Sequence, residues 1–293
     1  MRMIHMELLI GNKDTRLYTY TYPNPGKETI LMLHGGPGVP DGLSPVAEYL
    51  SQYFQVIMFH QRGTLSSPCY SSNYTISRYI SDIDAIASHF ELEEFHIFGH
   101  SWGGLYAQLY ADQSLYRLLS LFLCSPASGT GKQWREMSLE VAAYNKRKCT
   151  KSEWLDMMKN AVLGFLGSDA SYEKFFTQFC LNCNKGYQVE DPVPVMVDHI
   201  YARPINRTNL ALLFYPKLEV YAPPEMNITV TYGDDDIYGE SINYTKERLP
   251  SAKFSTVPGT SHFPWLQNPE AFYKVLAGHY GIDGKEREAE KAG

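Results

Sequence analysis

The sequence of 293 residues contains no apolar run that approaches the roughly 20 residues needed to span a bilayer. Its first residues, MRMIHMELLIGNKD, contain neither the apolar core nor the small-residue cleavage site of a signal peptide. Basic residues are not in excess, because 32 Asp and Glu outnumber 26 Lys and Arg and the net charge is −6. We therefore expect no nucleic-acid partner, no membrane partner and a cytoplasmic globular protein.

Cysteines are few as well. There are five, an odd number in a chain long enough to build a core without covalent cross-links. We therefore expect reduced thiols, as in a cytoplasm. The closely spaced pair Cys180 and Cys183 has no second pair to complete the four ligands of a structural zinc site. No metal and no other cofactor is predicted.

Short apolar runs alternate with helical spacing in the first third of the chain and again near its end. Such fully apolar strands indicate a mostly parallel sheet that helices cover on both faces. Two further runs, Met6–Ile10 and Leu17–Tyr22, predict an antiparallel hairpin attached to that sheet. The other predicted strands are Thr29–Leu33, Gln55–Phe59, Phe95–Phe98, Leu118–Cys124, Ile228–Tyr232 and Lys253–Val257.

The alternation stops after residue 126 and resumes near residue 223. The residues between have helix-compatible stretches at Lys132–Lys148, Ser152–Leu166 and Ser171–Cys180, without a clear strand. The chain is therefore predicted to be one α/β domain, residues 1–126 and 223–293, interrupted by a helical insertion at residues 127–222.

A serine flanked by glycines follows one of the predicted strands and precedes a predicted helix, in Gly99-His100-Ser101-Trp102-Gly103. Small residues two before and two after the serine permit the sharp turn that exposes its hydroxyl. Ser101 is therefore a candidate nucleophile. The backbone N–H of Trp102, at the helix N-terminus, is a candidate oxyanion donor. A glycine turn without chemistry is the alternative.

A second glycine-rich segment, His34-Gly35-Gly36-Pro37-Gly38, directly follows the predicted strand Thr29–Leu33. Its glycines allow the backbone to approach a ligand closely, and Gly36 is the candidate second oxyanion donor. No Lys-Ser/Thr pair follows, so the segment is not a phosphate-binding P-loop.

An acid and a base follow two later strands. Asp236 comes after Ile228–Tyr232, and His262 comes after Lys253–Val257, so both are expected at the same sheet edge as Ser101. His262 would take the proton of Ser101, and a buried carboxylate would orient the imidazole. Asp236 is the preferred acid because it lies at the far end of its turn, with Asp235 as the alternative.

Structural roles are expected for the remaining histidines considered. His89 and His96 fall in a predicted helix and strand, and His100 is expected to pack under the serine turn. His34 is expected to order the glycine segment through hydrogen bonds.

With these residues in place, the sequence resembles the α/β-hydrolase superfamily and, within it, the prolyl aminopeptidase family. The segments HGGPG, GHSWGG and GTSHFPWLQNPEAF carry the resemblance, which covers nearly the whole chain except the middle of the insertion. It implies an α/β-hydrolase fold with the insertion as a helical cap over the site. It also implies a triad of Ser101, Asp236 and His262, with Gly36 and Trp102 as oxyanion donors. Gly35, Pro37 and Trp265 are the predicted substrate contacts.

The chain departs from that family in two places. The family has an acid and a second glycine where this chain has His60 and Leu65. Some members also have a glutamate directly after the catalytic acid, where this chain has Ile237. Members of the family hold the substrate ammonium with acidic side chains, and the acids of the insertion that we considered are Glu136, Glu140, Glu173, Glu190, Asp191 and Asp198.

The sequence therefore predicts a serine hydrolase that works through an acyl-enzyme. A short peptide with an N-terminal proline is the first candidate substrate. An esterase or lactonase for a small uncharged substrate is the alternative, favoured if the cap pocket is apolar and lacks inward carboxylates. A non-catalytic receptor on the same fold is the third hypothesis.

Overall fold

The computed structural model describes residues 6–40, 42–221 and 226–282. The strands are β1 (Met6–Asn12), β2 (Thr15–Tyr22), β3 (Thr29–Leu33), β4 (Gln55–Phe59), β5 (Phe95–His100), β6 (Leu118–Cys124), β7 (Asn227–Gly233) and β8 (Lys253–Val257). They form one eight-stranded sheet with the spatial order β1-β2-β4-β3-β5-β6-β7-β8.

The helices connect these strands and cover the sheet. They are α1 (Ser44–Leu50), α2 (Ile76–His89), α3 (Trp102–Ser114), α4 (Lys132–Lys148), α5 (Lys151–Phe165), α6 (Asp169–Cys183), α7 (Ala202–Phe214), α8 (Ile242–Arg248), α9 (Pro264–Gln267) and α10 (Pro269–Tyr280). Two short 3₁₀ helices span Leu115–Arg117 and Val197–His199. Within the described ranges, no helix combines the length and the apolarity needed to cross a bilayer.

The predicted sheet is confirmed. β1 and β2 form an antiparallel hairpin that pairs with β4, and the strands from β4 to β8 in the spatial order are parallel to their neighbours. Every residue of β3 is buried, because helices lie on both faces of the sheet. The carboxyl ends of β3, β5, β7 and β8 therefore meet at one edge, where the loops that follow them come together.

Four helices, α4 to α7, lie between β6 and β7, where the sequence predicts a helical insertion. α7 was not expected. Pro204 stands in its first turn, a position that a helix tolerates because the N–H groups there have no partner within the helix. α1 was not expected either, and it also has a proline in its first turn, since it begins Ser44-Pro45. The predicted return to the core at residue 223 lies outside the described residues.

A buried ion pair fixes the loop after β4 to α2. Arg62 Nε and Nη2 donate to the two carboxylate oxygens of Asp82 at 2.8 and 2.7 Å, and both side chains are fully buried. Arg62 also donates to the backbone carbonyls of Asn73 and Arg78. The pair satisfies its hydrogen-bonding groups within the protein, so losing one partner leaves a buried charge uncompensated.

Histidines form a second buried polar cluster at the opposite end of the sheet from these loops. His279 lies between Ser120 Oγ and Thr229 Oγ1, each 2.9 Å from a ring nitrogen. His96 contacts the other side of Ser120 at 2.8 Å. Burial, with smaller contributions from His96 and Lys253, lowers the pKa of His279 to about 3. The imidazole is therefore neutral in the folded protein at ordinary pH.

We predict that Asp82→Ala lowers the free energy of unfolding by about 3–5 kcal/mol, because it strands the Arg62 guanidinium in the interior. Urea titration at neutral pH measures this loss. Lys132→Ala is the matched control, since its pair with Glu136 is exposed on the Lys132 side and contributes less than about 1 kcal/mol. Equal losses for the two variants would contradict the buried-pair argument.

We predict that His279 makes the fold sensitive to acid. Its pKa is about 3 when folded and about 6.5 when unfolded, so below pH 6.5 the unfolded chain binds a proton that the folded chain does not. Stability therefore falls as the pH drops from about 6.5 towards 3. His279→Gln should reduce the difference between urea midpoints at pH 7.5 and pH 4. The exposed His89→Gln should leave that difference unchanged.

Candidate active site

Ser101 occupies the sharp turn between β5 and α3. Its backbone has φ 54° and ψ −121°, a conformation that side-chain-bearing residues rarely adopt and that costs about 1–3 kcal/mol. The N–H of Ser101 donates to Cys124 O at 3.0 Å, and its carbonyl accepts from Gly104 and Ala127. These bonds hold the turn from three sides, so the strained geometry persists.

Gly103, two residues after Ser101, is required by close packing. A Cβ at Gly103 would collide with the carbonyl oxygen of Leu33 on β3, so only glycine lets α3 start this close to the sheet. Trp102 is the first residue of α3, and its N–H has no acceptor within the helix because of that position. Its indole N–H donates to Gln61 at 2.7 Å.

The hydroxyl of Ser101 meets His262, and His262 meets Asp236. Ser101 Oγ lies 3.0 Å from Nε2 of the imidazole, and Nδ1 lies 3.1 Å from Asp236 Oδ1. A carboxylate can only accept, so Nδ1 carries the ring proton and Nε2 is free to accept the hydroxyl proton. The loop of His262 is held from the insertion, where Tyr144 on α4 contacts Ser261 Oγ at 2.7 Å.

The three aspartates after β7 have different partners. Asp236 is buried and accepts hydrogen bonds from Ser125 Oγ and from the N–H groups of Gly233 and Ile237, besides His262. The other two aspartates point away. Asp234 accepts from the N–H groups of Gly259 and Thr260, and Asp235 pairs with Arg147 and Lys148 at 2.8 and 2.7 Å.

The structure thus brings Asp236, and not Asp235, into contact with His262. Asp234 instead ties the loop that carries the acid to the loop that carries the histidine. No role was predicted for Asp234 or for Ser125. Their only sequence signal is position, directly after a strand at the same sheet edge.

The glycine segment after β3 lies beside Ser101. Gly36 has φ +115°, and a Cβ there would lie 2.8 Å from the N–H nitrogens of Gly38 and Val39. The Gly36–Pro37 peptide bond is cis. His34 Nδ1 donates to Gly35 O at 2.6 Å, and its Nε2 accepts from the N–H of Gln61 at 3.2 Å. His34 thus orders the segment, in the way the sequence predicts.

Two cavities are lined in part by Ser101. The larger, with about 1010 Å³ of empty space including its opening to solvent, we call the large chamber; the smaller has about 390 Å³. Four residues line both: Gly36, Ser101, Phe176 and Phe179. The other lining residues of the large chamber are mostly apolar or aromatic: Pro37, Trp134, Met137, Val141, Ala142, Trp154, Met157, Met158, Ala161, Phe175, Ile205, Ile237 and Tyr238. Ser138, Asn145 and Asn209 add a hydroxyl and two amides.

Among the described residues, no charged side chain lines the large chamber. Of the insertion acids considered as ammonium ligands, Glu140 and Glu136 are hydrogen-bonded outside the chamber. Glu140 accepts from the N–H groups of Gly239 and Ser241, and Glu136 accepts from the Tyr244 hydroxyl, which holds the pKa of Glu136 below its usual value. Glu190 and Asp191 are exposed and Glu173 is half-buried, all three away from the chamber, and the side chain of Asp198 lies outside the described residues.

The predicted substrate contacts divide into two groups. Gly35 lines the small cavity and Pro37 the large chamber. Trp265 lines neither: it is buried, donates its indole N–H to Gly42 O at 3.1 Å and packs edge-on against His100. Trp265 therefore supports the site from behind. His100 in turn donates to the carbonyl of His262 at 2.9 Å, under the serine turn as expected.

Tyr238 is a site residue that the sequence analysis missed. It follows Asp236 by two positions, its side chain is buried, and its hydroxyl lies 3.3 Å from Ser101 Oγ. Its ring packs edge-on against His262, with centroids 5.5 Å apart. Burial raises the pKa of Tyr238 above its usual value, so the phenol remains protonated.

The two departures from the prolyl aminopeptidase pattern have different surroundings. His60 stacks on Tyr18 with ring centroids 4.8 Å apart, and burial lowers its pKa to about 4, so the position is uncharged at neutral pH. Ile237 lines the large chamber beside Tyr238, which puts an apolar side chain where some members of that family have a carboxylate. Among the described residues, no three His, Cys, Asp or Glu side chains converge as metal ligands.

Comparison with known proteins identifies the family. A family model described as alpha/beta hydrolase fold matches residues 28–269. A proline iminopeptidase of Clostridioides difficile is 23% identical over 273 residues, which cover 86% of this chain and 89% of the relative. The sequence resemblance to prolyl aminopeptidases is thus confirmed at low identity.

Solved structures agree on the fold. A chain from a study of carboxylesterases of Nitrososphaera gargenis has a TM-score of 0.67 at 15% identity, covering 96% of this chain and 100% of that chain. A carboxylesterase from Bacillus subtilis has a TM-score of 0.62 at 12% identity, covering 94% and 92%. With the family model matching most of its length, this chain is a serine hydrolase and belongs to the α/β-hydrolase family.

Proposed function

We propose that the protein hydrolyses an uncharged carboxylic ester through an acyl-enzyme, with Ser101 as nucleophile, His262 as base and Asp236 as the acid that orients it. The two hydrogen-bond distances of 3.0 and 3.1 Å along this chain of residues support the roles. In acylation, Ser101 Oγ bonds to the carbonyl carbon while its proton passes to His262 Nε2. That proton then goes to the leaving alcohol as the ester C–O bond breaks.

Deacylation reverses the roles. Water bonds to the acyl carbon and gives a proton to His262 Nε2, the bond to Ser101 Oγ breaks, and the serine recovers its proton. The N–H groups of Gly36 and Trp102 are the proposed donors to the oxyanion in both steps. Gly36 lies in the segment that the His34 hydrogen bonds order, and Trp102 begins α3, so both donors are held in place before substrate arrives.

The single observation that carries the substrate class is the apolar wall of the large chamber. An ammonium group moved from water to such a wall loses its hydration without a partner, at a cost of several kcal/mol. An uncharged apolar group gains about 0.8 kcal/mol for each methylene buried. The large and small cavities beside Ser101 fit an ester with one bulky apolar group and one compact group.

Release of an N-terminal proline is the second candidate. It is favoured by the relatives named proline iminopeptidase and by the HGGPG segment. A prolyl peptide carries a positive charge next to its scissile carbonyl. Ile237 offers no carboxylate for that charge, and Glu136 and Glu140 are engaged outside the chamber.

We predict that the two neighbouring aspartates differ sharply. Asp236→Asn should lower kcat for a p-nitrophenyl ester by about 10⁴-fold, because an amide stabilises the wrong imidazole tautomer. Asp235→Asn, at the adjacent position, should change kcat less than about threefold, because its partners are the partly exposed Arg147 and Lys148. Comparable losses in both variants would contradict the assignment of the acid.

We predict that catalytic efficiency rises with the size of the apolar group. For p-nitrophenyl esters from acetate to octanoate, kcat/KM should increase up to about fourfold per added methylene until the chamber is full. Proline p-nitroanilide should be turned over far more slowly. A preference for the prolyl amide over every ester would overturn the ester proposal in favour of the second candidate.

Three variants complete this experiment: one that fills the chamber, one matched control and one without the nucleophile. Ala161→Phe fills part of the large chamber and should lower kcat/KM for octanoate while acetate is unaffected. Leu155→Phe, on the same helix but exposed and outside the chamber, should leave both unchanged. Ser101→Ala should abolish turnover of all esters while the far-ultraviolet circular dichroism is retained.

A further inference from the structure

Of the tyrosines that the structure describes, Tyr238 alone lines the large chamber, and its hydroxyl lies close to the reacting atom, Ser101 Oγ. Ser101 has a single hydroxyl proton, which is directed to His262 Nε2. The phenol therefore donates its own proton to Ser101 Oγ across 3.3 Å. Its ring is fixed by edge-on contacts with His262 and Tyr232, at centroid distances of 5.5 and 6.4 Å.

The acceptor of this hydrogen bond, Ser101 Oγ, is the atom that reacts with the substrate. Once Ser101 Oγ bonds to the acyl carbon, it is an alkoxy oxygen and a weaker acceptor than the serine hydroxyl was. The Tyr238 hydroxyl then faces a chamber lined mainly by aromatic and aliphatic side chains. A buried donor left without an acceptor costs about 1–3 kcal/mol. A substrate that brings its own acceptor to this point avoids that cost in the transition state.

The position of that acceptor follows from the geometry. An atom attached to the carbon next to the carbonyl is two bonds from the reacting carbon, on the side of the acyl chain. The phenol oxygen lies 3.3 Å from Ser101 Oγ and lines the large chamber, so an oxygen attached to that carbon on the chamber side can accept its proton. An oxygen at this α position accepts the proton, whereas a methylene leaves the phenol unsatisfied.

We propose that Tyr238 makes the enzyme selective for esters of α-oxygenated acids, such as 2-alkoxy or 2-hydroxy acids, whose apolar chain occupies the large chamber. This inference rests on the proposed ester hydrolysis and names the acid that the ester contains. Tyr238 is then a specificity residue, and the remaining wall of the chamber recognises the chain by apolar contact.

The test compares two nearly isosteric substrates, phenyl 2-methoxyhexanoate and phenyl 2-ethylhexanoate, which differ by one oxygen in place of a methylene. Each kcat/KM is divided by the rate of alkaline hydrolysis of the same ester, which removes the inductive effect of the oxygen. The wild-type protein should prefer the methoxy ester by about tenfold or more. Tyr238→Phe should reduce that preference to about one- to twofold, chiefly because kcat/KM for the ethyl ester rises once no donor is left unsatisfied.

Tyr232→Phe is the matched control. Tyr232 is also buried and touches Tyr238, but its hydroxyl donates to the carbonyl of Pro126. This variant should keep the full preference for the methoxy ester. Because both rates come from one preparation, their ratio does not depend on the fraction of each variant that folds.

Three outcomes would overturn the inference. They are equal normalised rates for the two esters in wild type, a preference that survives in Tyr238→Phe, and a larger Tyr238-dependent preference for the 2-amino ester, which would assign the phenol to an α-nitrogen. A failure of the proposed function looks different. In that case neither ester is turned over by wild type, or Ser101→Ala retains the activity.

Discussion

The buried carboxylate of Asp236 is the interaction on which the site depends. A charge at this depth persists only if its oxygens are fully hydrogen-bonded, and four donors meet it: Ser125 Oγ, two backbone N–H groups and His262. Ser125 follows β6, the backbone donors lie at the end of β7 and just after it, and His262 follows β8. Satisfying one charge thus fixes the relative positions of three loops, and with them the imidazole next to Ser101.

Strain at Ser101 is the second constraint, and the sheet supplies what maintains it. The unfavourable backbone of Ser101 costs about 1–3 kcal/mol, which is small beside the packing of β3, β5 and β6 around it. Glycine at position 103 lets α3 approach β3 so closely that the hydroxyl projects above the sheet edge. The buried Arg62–Asp82 pair acts further out, because it holds the loop whose Gln61 bonds both the glycine segment and the Trp102 indole.

The sequence was sufficient for the sheet, since fully apolar runs between turn residues are typical of parallel strands covered on both faces. It was also sufficient for the residues directly after strands, because parallel strands carry them to one edge. α1 and α7 were missed, since proline in the first turn masks the start of a helix. The large chamber and the position of Tyr238 could not be predicted from the sequence for another reason. They depend on which faces of α4 to α7 turn inward, and helical spacing alone leaves that open.

The acids of the insertion show the same limit, because the sequence alone does not tell which carboxylates face the chamber. The family resemblance implied acids that hold a cationic substrate, yet Glu140 accepts hydrogen bonds from the N–H groups of Gly239 and Ser241. Helix α4 also contacts the histidine loop through Tyr144 and the aspartate loop through Arg147. The insertion is therefore not an interchangeable lid. A chimaera that received this segment from another hydrolase would lose supports of its proton relay, so new substrates are reached more readily by residue exchanges on the chamber wall than by swapping modules.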